Sequence, residues 1–167
     1  MNGWDSMKFF DREYAQGDLD SRACVQRQEA YRKHLEAIAA VVPHGLVNSL
    51  AGVKFHDARL EVVAIDSGRN EVVLEMLCVE WGSRSRVRLT YRDAVLKSKA
   101  IARKVVADER SELMYQELDV ADSRCLQRFI FHPRYLEFEI TFTELTCEID
   151  RDLPSGEKPK RAMIRDL

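Results

Sequence analysis

The chain has 167 residues, 46% of them apolar and 32% charged, with a net charge of −2. That is enough chain to bury one sizeable core, and the charge is too balanced for a strongly basic nucleic-acid protein. No stretch of about 18 apolar residues and no basic-then-apolar leader occurs in the sequence, so a membrane-spanning helix and a secretion signal are not expected.

Residues 1–6 read as a lead-in, and Phe9, Phe10 and Tyr14 carry enough aromatic surface to hold the following arm on the body. The first long element is a helix from Ser21 to Val42. Cys24, Tyr31, Leu35, Ile38 and Val42 recur at spacings of seven, four, three and four, which is one helical face. Asp18, Asp20 and Ser21 offer N-caps, and Pro43 and Gly45 offer a stop. A short helical turn over Leu46–Leu50 follows.

The chain then changes period from 3.6 to 2. Strands are expected over Ala58–Asp66 and Glu71–Val79, joined by a loop in which Gly68 allows positive φ, and over Ser85–Tyr91. Lys97–Asp108 reads as a helix with Ala100, Ile101 and Val105 inward. Leu113–Val120, Cys125–Phe131 and Leu136–Phe142 are further strands, and Thr143–Ile149 continues the last one or forms a short edge strand. Val87, Leu89 and Tyr91 alternate with Arg86, Arg88 and Thr90, and Phe138, Ile140 and Phe142 alternate with Glu137, Glu139 and Thr141. Such alternation means antiparallel strands with one apolar and one wet face.

The expected fold is therefore α+β. One domain over 1–150 is built as a mostly antiparallel, twisted sheet of about six strands, packed against the long N-terminal helix, with a second shorter helix at one edge or end. Residues 151–167 read as a flexible tail.

Few residues suggest chemistry. None of the four cysteines, Cys24, Cys78, Cys125 and Cys147, lies in a C-x-x-C pair, so zinc and thioredoxin-type readings lack their spacing. Reduced, buried thiols in a cytoplasmic protein are the expectation. No phosphate-cradling glycine loop, G-x-S-x-G or H-E-x-x-H occurs, so no cofactor and no metal are expected.

His56-Asp57 invites comparison with helical metal phosphohydrolases that use a His-Asp pair, but here the pair opens a strand and the other histidines are scattered. Glu117 and Asp119 share one strand face, which reads as solvent or an ion-pair surface. An enzyme using His56 and Asp57 with Glu117 requires these residues to meet in a pocket. Arg84, Arg86, Arg88 and Arg92 share one parity. On a continuous strand they form a guanidinium row with steps of about 7 Å, able either to pair with glutamates across strands or to bind a partner's anionic groups.

Met7-Lys8-Phe9-Phe10, Gly17-Asp18-Leu19, Tyr31-Arg32-Lys33-His34-Leu35 and Phe55-His56-Asp57-Ala58 carry a resemblance, together with Leu113 to Asp119 and Phe138 to Phe142. Over roughly Met7 to Ile149 the chain resembles an uncharacterised bacterial family of small proteins catalogued as a domain of unknown function. The resemblance implies no activity and no functional residues. Small bacterial proteins of this build are sometimes toxin-neutralising immunity proteins, an analogy of fold and size. The leading expectation is a cytoplasmic, protein-binding or immunity-like accessory protein that uses Arg84, Arg86, Arg88 and Arg92. The rivals are the His56/Asp57 enzyme and, more weakly, an RNA-binding module, which the negative charge and lack of paired aromatics disfavour.

Overall fold

The computed structural model describes residues 7–43, 45–51, 55–80, 83–151, 153 and 163–166. Three helices open the chain: α1 (Arg12–Gln16), α2 (Ser21–Ile38) and α3 (Leu46–Ala51). Then come β1 (Arg59–Asp66), β2 (Glu71–Glu80), β3 (Ser83–Arg92) and β4 (Val95–Lys97). After α4 (Lys99–Ala107) follow β5 (Glu112–Ala121), β6 (Arg124–His132), β7 (Leu136–Phe142), β8 (Glu144–Asp150) and β9 (Met163–Asp166).

Local signals place the elements. Asp20 caps α2 by accepting the Ala23 N–H at 2.8 Å, and Asp11 caps α1 by accepting from Tyr14 at 3.0 Å. In the β1–β2 turn Asp66 accepts the N–H groups of Gly68 and Arg69 at 2.9 and 3.0 Å. The left-handed residue of that turn is Asn70, at φ 51°, not Gly68. Asparagine tolerates this conformation better than most side chains.

The class is α+β with mostly antiparallel strands, but the single sheet of about six strands is corrected. There are two sheets, ordered β8-β3-β2-β1-β9 and β4-β7-β6-β5. Every pairing is antiparallel except β1 with β9. The alternation breaks phase where the chain changes sheet. Leu89 and Tyr91 are buried, and so are Ala94 and Leu96, so the buried parity shifts across Asp93. The same shift separates Ile140 and Phe142 from Leu145 and Cys147 across Thr143. The two crossing corners are joined: the Thr143 N–H donates to the Arg92 carbonyl at 3.2 Å.

The core lies between the sheets. Leu74, Met76, Val87, Leu89 and Tyr91 meet Phe129, Phe131, Phe138, Ile140 and Phe142. The rings of Tyr91 and Phe142 pack edge to face at 5.1 Å. Helix α4 seals one open side against β1 and β7 with Ala102, Val105 and Val106 buried. Helix α2 is not the cover of the apolar face. It ends at Ile38 rather than Val42, Ile38 is its single fully buried residue, and it runs beside β5. The second sheet presents a larger aromatic face than one helix can, and it takes the place expected of α2. Met163–Asp166 lie in the segment read as a tail and pair parallel to β1 over Val62–Ile65. The lead-in 1–6 lies outside the described residues.

Candidate functional site

The arginine row lies on a continuous strand. Strand β3 pairs with β2 without a register shift from Val72↔Tyr91 to Glu80↔Ser83, so Arg84, Arg86, Arg88 and Arg92 share the face turned away from the core. Their surroundings differ. Arg88 stands opposite Glu75 and donates to it at 2.9 Å, with 49% of its side chain exposed. Arg92 lies 3.9 Å from Glu71 and 3.5 Å from Glu144 and is 62% exposed. Arg86 is only 11% exposed and donates to Glu61 at 3.1 Å. A register shift between Leu60 and Val62 bulges β1 there and brings Glu61 to this face. Arg84 is half-buried, and its carbonyl accepts the Leu153 N–H at 3.0 Å. Arg86, Arg88 and Arg92 thus form a ladder of ion pairs across strands, with the outward members, Arg88 and Arg92, beside an acidic edge. Strand β8 closes this sheet on one side and carries exposed Glu144, Glu148 and Asp150.

His56 and Asp57 sit at the turn before β1. Their side chains pair at 2.9 Å and are 55% and 60% exposed. Asp57 takes φ 63°, and its N–H donates to the Leu113 carbonyl at 2.8 Å. The His56 ring meets Tyr115 edge-on at 5.7 Å. No hydrogen bond or ion pair among the described residues joins this pair to Glu117, which is occupied elsewhere.

Glu117 is 1% exposed and binds the N-terminal arm. Its carboxylate accepts the backbone N–H groups of Lys8, Phe9 and Phe10 at 2.8, 2.6 and 2.7 Å. Beside it, Asp119 takes the Lys8 ammonium at 2.6 Å, the His34 ring at 3.2 Å and Arg128 at 3.3 Å. Arg128 continues to Glu139, which also pairs with Lys97 at 2.5 Å. Burial by itself would raise the Asp119 carboxyl, but the Lys8 and Val120 hydrogen bonds and the Lys8 and His34 charges outweigh it and hold it low. Glu137 is raised, first by burial and then by the charges of Glu117 and Asp11, against the pull of the Met7 N–H. Phe9 and Phe10 finish the arm by packing on Tyr31, at 5.3 and 4.9 Å between ring centres.

The sequence reading anticipates the aromatic arm and the shared face of Glu117 and Asp119. It misses that the arm closes over that face. The available signal is the pair itself: two acids on an otherwise well-patterned strand, matched by an arm with a lysine. Cys78 is pushed up to about 11 by burial, and burial also raises Cys125 and Cys147, so these thiols are poor nucleophiles. Among the described residues no three His, Cys, Asp or Glu side chains converge as metal ligands, and no helix is long and apolar enough to cross a membrane.

Fold and surface together define a two-sheet α+β protein with a paired-charge outer face and a docked N-terminal arm. Compared with models of known protein families and with curated proteins, the chain matches none.

Proposed function

We propose that this is a binding protein of the small bacterial kind its sequence resembles, an accessory or immunity-like partner of another protein in the cytoplasm. The observation that carries the reading is the outer face of β2, β3 and β8. Arg88 and Arg92 stand there exposed on a rigid sheet beside Glu144 and Glu148, so both signs of charge are displayed in a fixed array. Fixed mixed charge suits specificity and fast encounter with a complementary protein surface. It suits a nucleic-acid backbone poorly, because the glutamates repel phosphate. The His56–Asp57 pair is exposed, and among the described residues no hydrogen bond or ion pair joins it to a third titratable side chain, which weighs against the enzyme reading.

The test is affinity capture from native lysate with nuclease present, comparing wild type with the double variant Arg88→Glu/Arg92→Glu. A stoichiometric protein that the double variant fails to capture supports the reading. Equal capture by both removes this face from consideration. Arg86 is left unchanged because its buried pair with Glu61 belongs to the fold.

A further inference from the structure

Across the outer face of the first sheet the sign of charge alternates strand by strand. Glu75 of β2 stands opposite Arg88 of β3, and Arg88 stands opposite Glu148 of β8. Arg92 lies 3.9 Å from Glu71 of β2 and 3.5 Å from Glu144 of β8. Arg86 pairs with Glu61 of β1 and stands opposite Asp150 of β8. Each row runs negative, positive, negative and stops at β8, the last strand of its sheet. Opposite charges on neighbouring strands stabilise and like charges destabilise, so the strand that continues the order of signs is a basic one.

The backbone of β8 is open to such a strand. A terminal strand turns the N–H and C=O groups of every second residue away from its one neighbour. The other three sheet edges are short or covered. Strand β4 has three residues and β9 has four. Strand β5 is bulged between Leu113 and Tyr115, Leu113 is bonded to the chain at Asp57 and Ala58, and the Leu118 N–H goes to Tyr31. Strand β8 has seven residues, no proline, lysine or arginine, and pairs with β3 over its whole length without a register shift. Both ends are tied down, by the Thr143 N–H on the Arg92 carbonyl and the Leu153 N–H on the Arg84 carbonyl. Among the described residues no strand but β3 pairs with it. On the inner side Leu145 and Cys147 pack on the core and Ile149 is 38% exposed, so apolar side chains of an added strand find apolar neighbours. A second copy of β8 does not fit. Antiparallel pairing about a two-fold at Cys147, Thr146 or Glu148 sets Glu144 against Asp150, Glu144 against Glu148, or Glu148 against itself.

We propose that β8 binds an extended segment of a protein partner, which adds to this sheet as a further strand. The segment carries Lys or Arg opposite Glu144 and Glu148, and apolar residues at the alternate positions between them. The inference rests on the outer face being a protein-binding surface and names what the partner brings to it.

The test is 15N NMR titration of the full chain with the capped heptapeptide Lys-Val-Lys-Val-Thr-Val-Lys, whose antiparallel register sets its lysines opposite Asp150, Glu148 and Glu144. The amide signals of Glu144–Asp150 should shift, and every second amide of β8 should exchange its hydrogen more slowly. The same peptide with glutamate for lysine should bind roughly tenfold more weakly, the combined effect of three cross-strand charge pairs. Two versions N-methylated at alternate amides, one in each phase, keep the charge; the phase that faces β8 should fail to bind and the other should bind. Glu144→Lys/Glu148→Lys should reverse the preference and take the glutamate peptide, which also shows that the variant is folded. Unmoved β8 signals, equal binding of the lysine and glutamate peptides, or equal binding of the two N-methylated peptides would each overturn the assignment. The two readings fail separately. A lysate protein lost from Arg88→Glu/Arg92→Glu but captured fully by Glu144→Lys/Glu148→Lys would keep the outer face and overturn the added strand.

Discussion

Glu117 Oε1 accepts the Phe9 N–H at 2.6 Å across 108 residues of chain, and this bond ties the N-terminal arm to the outside of the second sheet. Four consecutive N–H groups, from Met7 to Phe10, end on the two carboxylates Glu137 and Glu117. A bent arm outside helix and sheet leaves its donors open, and a buried carboxylate needs donors, so each satisfies the other.

Glu117→Gln should release the arm. The amide keeps one acceptor oxygen but loses the charge and turns a donor toward donors. A loss of about 3 kcal/mol in urea unfolding is expected, with faster proteolysis at Phe9 and Phe10 under native conditions. Unchanged proteolysis would mean that the aromatic contacts alone hold the arm.

Asp119 sets an acid limb of stability. Its folded pKa lies below the ordinary value of 3.8, so its contribution is complete above that value and is lost as pH falls through the folded pKa. Melting temperature should therefore drop below about pH 4 in the wild type, and less steeply in Asp119→Asn. A parallel pair of profiles would remove Asp119 as the source.

Glu137 works in the opposite direction. Its folded pKa is raised, so its protonated form favours the fold at low pH and the advantage disappears as pH rises from the ordinary value of 4.5 through the folded pKa. Glu137→Gln keeps an acceptor for the Met7 N–H and should melt higher than wild type at pH 7. The gain should vanish below about pH 4. A variant less stable at pH 7 would show that the charge itself is needed there.

Arg86 and Arg88 should separate cleanly. Arg86→Glu removes the guanidinium from a carboxylate that is almost wholly buried and should destabilise by about 3–5 kcal/mol. Arg88→Glu, half exposed beside Glu75, should change stability by about 1 kcal/mol. Chemical denaturation of the two variants decides it, and equal losses would refute the division into structural and surface arginines.

The position of the core gives a further contrast. Phe129→Ala, between the sheets, should cost about 3–5 kcal/mol, and Leu35→Ala, at the half-buried edge under α2, about 1 kcal/mol. A larger loss at Leu35 would return α2 to the centre of the packing.

Much of this was legible along the chain. The N-cap of α2, the hairpin at Asp66–Asn70, and the strands from Arg59 to Asp150 other than the short β4 follow from side chains acting on their own neighbours and from the period of burial. Two breaks in that period, at Asp93 and Thr143, also marked where the chain leaves one sheet for the other. Read as strand ends, they suggest one sheet; read as phase shifts, they give two.

By itself the sequence determined the class of fold, most of the elements though not α1, β4 or β9, and the parity of the arginine row, because periodicity and capping are local properties. Only the tertiary structure decided that Arg86 is buried while Arg88 is exposed, that Glu117 lies under the arm rather than in water, and that β8 ends its sheet. Each of those depends on which surfaces meet, and that is set by contacts between residues tens of positions apart, whose pairing no local pattern encodes.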